Sequence, residues 1–374
     1  MAPATQFEIA QSPGDALTAV VFAPDDPSRL LVSSWDRKLY MYDVAQGKEE
    51  ATLVKTFDHR APVLAVCFGA NKDVAFTGGV DRWVKKINLA TGDQTVLSEH
   101  TAPVRCVVYS PEHSILISAS WDCSLHIHHI SDDSEPSTPL KIQLPGKAHA
   151  LAASPSKVVV AMTARLVHIY DLPTIASVLA LSATSNGHSD TDAKADNSGI
   201  PTPVVSDIQP WQQRESSLKF LTRAVSCMPN DAGYATSSIE GRVAVEWFED
   251  TPESQARKYA FKCHRQVAPE EEGGGDIVYP VHALAFHPVY GTFASGGGDG
   301  TVALWDAEAK RRMRQYQGLP EGVHSLGFSG DGKYLAIGTC PNFEDGMEDY
   351  SGVGRTHVFI RELSETEAKG KGSK

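Results

Sequence analysis

Apolar and polar residues alternate along most of the chain in short runs, and the runs come in sets. The stretch LTAVVFAPDDPSRLLVSSWDRKLYMYD (17–43) reads as an alternating strand, a turn of Pro and Asp, a second strand ending in small residues, a turn built on Asp, and a third alternating strand. Alternation over four to eight residues between turn formers is the pattern of a half-buried strand. The same order returns in VLAVCFGANKDVAFTGGVDRWVKKIN (63–88) and VRCVVYSPEHSILISASWDCSLHIHH (104–129). It returns again at 148–171, 223–248, 281–306 and 323–340, the last completed by RTHVFIREL (355–363).

Seven such units, at a period of roughly 40 residues with about four strands each, predict a β-propeller. The expected fold is all-β: a single seven-bladed propeller over residues 1–363. Its ring needs one more strand, and TQFEIA (5–10) alternates and precedes the first unit. Pairing it with the strand near His357 to Arg361 would close the last blade and leave no open edge. The units resemble WD40 repeats, GGGDGTVALWD (296–306) most closely. Small residues before the turn Asp let a strand pass close to its neighbour, and the Asp carboxylate satisfies turn amides. Asp36, Asp81, Asp122 and Asp299 are therefore framework, with His59 and His100 placed as their structural partners.

Three segments depart from the pattern. SATSNGHSDTDAKADNSGIPTPVVSDIQP (182–210) is too poor in apolar residues to offset its ordering entropy and is expected to be a disordered insertion between units four and five. VAPEEEGGGDI (267–277) and NFEDGMEDY (342–350) are acidic turns, and 364–374 is expected to be a flexible tail.

The net charge is −12, which argues against general binding to duplex nucleic acid. No run of eighteen apolar residues exists, and the N-terminal stretch has neither a basic nor an apolar leader region; the expectation is a soluble intracellular protein, monomeric on its own, with no membrane role. Six cysteines without C-x-x-C spacing read as buried thiols. No nucleophile elbow, zinc-protease helix, phosphate loop or dinucleotide fingerprint is present, so the chain reads as a non-enzyme without a cofactor. In HIHH (126–129), alternation puts His126 and His128 on one face and His129 on the other, a strand pattern and not a metal site.

A binding platform remains. Against the acidic background, SSIEGRVAVEWFEDTPESQARKYAFKCHR (237–265) places Arg242 just after a tight turn and Arg257, Lys258, Lys262 and Arg265 within the next strand. Trp35 and Trp121 each precede a turn Asp, at a position that a propeller displays on one face, where large aromatics anchor partner peptides.

LLVSSWDRKLYMYD, RESSLK (214–219), SSIEGRVAVEWF, RKYAFKCHR and TFASGGGDGTVALWD together resemble the Bub-type mitotic spindle-checkpoint propeller, a relative of the Rae-type messenger RNA export factor. The resemblance implies a scaffold that binds a short glutamate-containing motif of checkpoint kinases and reads a phosphothreonine motif on a kinetochore scaffold protein. It implies Arg223, Arg242 and Lys262 as the phosphate-reading positions and Trp35 and Trp121 as the aromatic lining of the partner groove. It also implies residence in the nucleus, at kinetochores in mitosis, and in the cytoplasm. The alternative it leaves open is a messenger RNA export or nuclear-pore adaptor that holds a nucleoporin motif and meets RNA.

Overall fold

The computed structural model describes residues 6–45, 50–131, 137–185, 199–268, 274–342 and 355–370. They build seven antiparallel blades and one separate hairpin. The inner strands are Leu17–Phe22, Val63–Phe68, Val104–Ser110, Ala148–Ala153, Thr222–Cys227, Val281–Phe286 and Gly322–Phe328. Each touches the next around the ring, and the seventh touches the first. The core is a circle of layers between blades: Leu31 and Leu39 of blade one pack with Phe68 and Ala75 of blade two, and so on round. The small residues at the ends of second strands are explained by this circle. A Cβ on Gly78 would collide with Val104 of the next blade, and one on Gly296 with Val323.

Closure follows the expected scheme. The strand Gln6–Glu8 pairs antiparallel with His357–Glu362 in the register Gln6 to Arg361, Phe7 to Ile360 and Glu8 to Phe359. The Ile9 amide then donates to Val358 O at 3.0 Å, and the Ile9 side chain is buried against Val358, Ile360 and Leu17.

The His–Asp framework is present in two blades and replaced in a third. His100 Nδ1 meets Asp122 at 3.0 Å and its Nε2 meets Ser118; His264 repeats the arrangement with Asp299 and Ser295, both at 2.8 Å. His59, expected to pair with Asp81, instead meets Thr77 Oγ1 at 3.0 Å, because Asp81 is taken by the buried Lys85 at 3.2 Å. In blade one no histidine among the described residues pairs with Asp36; Tyr40 donates to it at 2.6 Å. His126 and His128 do share a face, and both rings contact the hydroxyl of Ser98, at 3.0 and 3.1 Å.

Burial holds these imidazoles neutral: His59 is pushed down to about 4 and His128 to about 3, and His100 adds to the burial effect on His128. A histidine whose folded pKa lies below its unfolded value stabilises the fold fully above about 6.5, and that stability drains away as pH falls towards the folded value. From His59 and one member of the His126–His128 pair alone, stability should drop by at least about 3 kcal/mol between pH 7 and pH 5. Melting temperatures across that range test this; a flat profile would contradict it.

The irregular parts differ from expectation in position. Residues Leu172–Ser185 form a helix whose Leu172, Ile175 and Leu179 pack with Ile208 against blades three and four. The spacing of those three residues is helical, a signal that the strand pattern around them obscured. The insertion thus lies inside blade four, whose outer strand Gln212–Glu215 follows it, and not between units four and five. Residues 186–198 of the expected disordered stretch lie outside the described residues. Residues 199–210 have a defined path, and Val204–Val205 adds a fifth, parallel strand to blade three. The acidic segment at 267–277 is flanked by a hairpin, Arg265–Val267 with Asp276–Val278. The expected turn at 342–350 lies outside the described residues apart from Asn342.

The tail expected to be flexible from residue 364 is packed as far as 370. Glu365–Ala368 is helical, the Glu367 carboxylate accepts from the Ser364 amide at 3.1 Å, and Thr292 Oγ1 donates to Ala368 O at 2.8 Å. Glu367 also accepts from Arg361 of blade seven at 3.1 Å and from the Tyr316 hydroxyl of blade six at 3.2 Å, so the tail clips blade seven to blade six. Among the described residues no helix is long and apolar enough to cross a membrane. No disulfide joins the six cysteines.

Candidate functional site

The site is built on one end of the ring, where each second strand turns into the third. Trp35, Trp121 and Ile239 occupy the same step of three such turns, each donating its amide to a carbonyl just before its own blade's inner strand: Ala16, Pro103 and Leu221. Trp35 is 38% exposed. Trp83 joins them on blade two, its ring covered by the Arg60 guanidinium 4.2 Å away. An arc of three tryptophans therefore spans blades one to three, and the third was not singled out by its place in the repeat.

Across the channel, blade five carries the cations. Its end row runs Thr222, Ser238, Arg242, Lys262 from inner to outer strand, each paired in register with the next. Arg242 and Lys262 are thus direct cross-strand neighbours, with Cβ atoms about 5 Å apart, a like-charge placement that costs stability. The turn that aims Arg242 needs Gly241, whose φ is +63° and whose Cβ position is closed by the Cys263 carbonyl at 2.8 Å. Arg242 Nε lies 3.3 Å from a Glu240 oxygen and has no hydrogen-bond partner. Lys262 is exposed. An anion bound beside this pair would offset the mutual repulsion.

Arg223 belongs to a different feature. In every blade the inner strand's ladder skips one residue near its start, and the skipped residues are Thr18, Leu64, Arg105, His149, Arg223, His282 and His324. A bulge re-aims its side chain, and here the bulges form a circle at the end of the ring that carries the turns. Arg223 Nη2 donates to His282 Nδ1 at 2.8 Å, and His282 stacks on His324 with centroids 4.2 Å apart. Burial, His324 and Arg223 push His282 down to about 2, so it accepts as a neutral ring. The structure places Arg223 at the same end of blade five as Arg242 and Lys262 but turns it towards the channel mouth. Aligning the seven units on this position would have exposed the ring of Arg and His, which reading the units singly did not.

Two other basic residues of the stretch, Arg265 and Arg257, are engaged elsewhere. Arg265 pins the hairpin, donating to Glu240 O at 2.9 Å and lying 3.5 Å from Asp276. Arg257 pairs with Glu308 at 2.8 Å and lies over the Trp247 ring. Beside Arg242 the surface is apolar: Phe220 and Leu221, just before the inner strand, and Ile239 in the turn are all exposed. Their isolation within polar loops gave no periodic signal. Among the described residues no group of three or more His, Cys, Asp or Glu is placed to hold a metal ion.

The WD domain, G-beta repeat family matches residues 51–88, 92–129 and 277–306. The chain is 36% identical to the mitotic checkpoint protein BUB3.1 of Arabidopsis thaliana, over 99% of this chain and 96% of that protein. It is 32% identical to the mitotic checkpoint protein bub-3 of Caenorhabditis elegans, over 99% and 97% respectively. It is also 27% identical to the mRNA export factor GLE2 of Chaetomium thermophilum, over 97% of this chain and 91% of that one.

Proposed function

The chain belongs to the Bub3 family of mitotic checkpoint WD40 propellers, and from that premise we propose that it is a non-enzymatic adaptor of the spindle-assembly checkpoint. On this reading one arm of the platform, around Trp35 and Trp121, holds a glutamate-containing motif of the checkpoint kinases. The other arm, Arg242 and Lys262 with Arg223 beside them, receives a phosphothreonine on a kinetochore scaffold protein and so brings the kinases there. Its places of work are the nucleus, the kinetochore in mitosis, and the cytoplasm.

The observation that carries the phosphate arm is the in-register pair Arg242 and Lys262 at the end of blade five, with Lys262 exposed. A phosphothreonine brings nearly two negative charges and three acceptor oxygens, which matches two adjacent cations better than a single carboxylate does. Glu240 is the competitor that the phosphate must displace, which favours a dianion over a monoanion.

An export-adaptor reading would require RNA contact through a longer basic stripe with stacking aromatics. Here the cations form a compact cluster and the three tryptophans lie on other blades. Binding of the purified chain to phosphorylated and unphosphorylated threonine peptides, alongside single-stranded RNA, separates the two; strong RNA binding with no phosphate preference would replace the checkpoint reading. For the aromatic arm, Trp35→Ala should weaken a kinase-motif peptide by about 2 kcal/mol, roughly 30-fold, and leave phosphopeptide affinity unchanged. Equal loss of both ligands would mean that the tryptophan supports the fold and not a groove.

A further inference from the structure

Six Ser-Pro or Thr-Pro dipeptides occur in the sequence, at Ser12, Ser110, Thr138, Ser154, Thr202 and Thr251. Ser110 and Ser154 are buried, Ser12 and Thr251 are half-buried, and Thr251 accepts from the Ser254 amide as a helix cap. Thr138 and Thr202 alone among the six are exposed. They are separated by more than sixty residues of sequence, yet the fold brings their segments to one ladder. The outer strand of blade three, Leu140–Gln143, pairs in parallel with Val204–Val205, Leu140 opposite Val204 and Lys141 opposite Val205. By this register Thr138 and Thr202 each stand two residues before the first paired position, at the same end of the ladder.

We propose that Thr138 and Thr202 are a paired phosphoacceptor site for a proline-directed Ser/Thr kinase, and that phosphorylating both releases the strand 204–205 from the edge of blade three.

The residue before proline is held extended, the conformation in which a kinase cleft accepts its substrate. Thr138-Pro139-Leu140-Lys141 adds a basic residue three positions after the acceptor, the second feature that such kinases read. In each transfer the threonine hydroxyl oxygen bonds to the γ-phosphorus of the kinase's MgATP. The bond from that phosphorus to the β,γ-bridging oxygen breaks, ADP departs, and the hydroxyl proton goes to the kinase's base.

Release follows from how weakly the added strand is held. Beyond the two-residue ladder itself, its backbone bonds to blade three include Val204 N–H to Pro139 O at 2.9 Å and Ser206 N–H to Lys141 O at 2.8 Å. Val204 and Val205 are both exposed, so little apolar burial backs those bonds. Two phosphates at the same end of the ladder repel each other, whereas one phosphate and a neutral hydroxyl do not. Opening the strand unroofs a cavity of about 400 Å³ lined by Arg82, Lys141, Thr202 and Pro203. Ile208, buried in the core, keeps the segment tethered beyond it.

The test uses the full chain, a purified cyclin-dependent kinase and MgATP, read by site-resolved mass spectrometry and amide exchange. Phosphate should enter at Thr138 and Thr202, and Thr138→Ala with Thr202→Ala should remove at least nine-tenths of the incorporation. Exchange at Val204 and Ser206 should quicken more than tenfold in the doubly phosphorylated protein and less than threefold in either singly substituted variant carrying one phosphate. Incorporation mainly at other residues, or none, overturns the site. Full incorporation with unchanged exchange, or the whole acceleration from one phosphate, overturns the release.

Discussion

Replacing Arg242 and Lys262 together by alanine is expected to lower affinity for a phosphothreonine peptide by about 100-fold or more and to leave the unphosphorylated peptide's affinity within about twofold. A hydrogen bond to a charged group contributes about 1.5–3 kcal/mol, so Arg242→Ala alone should cost more than tenfold and the pair at least the product. The fold should be untouched, because the two cations face each other across neighbouring strands and their removal relieves a repulsion. A melting temperature equal to or slightly above the parent's is the control. Arg223→Ala should cost less for the phosphopeptide than Arg242→Ala, since its guanidinium already donates to His282. Titration calorimetry with matched peptides measures all three. If the double variant still prefers the phosphopeptide by the parent's factor, the phosphate is read elsewhere on the ring.

The propeller was legible because its information is local and repeated. Alternation marks each strand, an Asp (Asp36, Asp81, Asp122, Asp299) marks four of the turns at the site's end, and seven copies make a single misread unit harmless. The closing strand was legible for the same reason, since 5–10 alternates and the last blade lacked a partner. What the repeat hides is whatever sits between strands. The helix Leu172–Ser185 was passed over because unit four already seemed complete at 171, and only the pairing of Gln212–Glu215 with Leu166–Ile169 reveals that the insertion interrupts a blade. The tail looked frayed because its composition is charged, yet the Glu367 carboxylate is consumed by Ser364 and Arg361. Charge in a sequence does not say which charges have partners.

The site divides in the same way. Arg242 and Lys262 could be placed from strand order alone, since each stands at a strand end beside a turn. The direction of Arg223 could not, because a bulge shifts a side chain without leaving a mark in a single unit. The same limit explains Lys85, which took the place that His59 was expected to hold beside Asp81.

Deleting residues 1–10 should lower the melting temperature by about 6 °C and make the protein prone to aggregate. The deletion removes the three-residue ladder to the last blade and the Ile9 amide bond to Val358. It also empties the place of Ile9, which is 2% exposed between blades seven and one. Loss of a buried isoleucine side chain costs about 2–4 kcal/mol, and the ladder bonds add roughly 1 kcal/mol apiece less the ordering entropy saved. A net loss of about 5 kcal/mol spread over the unfolding entropy of a chain this long, about 2.1 cal/mol/K per residue, corresponds to that shift. Ile9→Ala isolates the packing part and should account for about half of it, with the ring still closed. The uncovered edge of His357–Glu362 would then be free to pair with another copy, so light scattering on heating should rise in the deletion and not in Ile9→Ala. A deletion that melts at the parent's temperature would mean that the first blade and the last hold the ring shut through their inner strands alone.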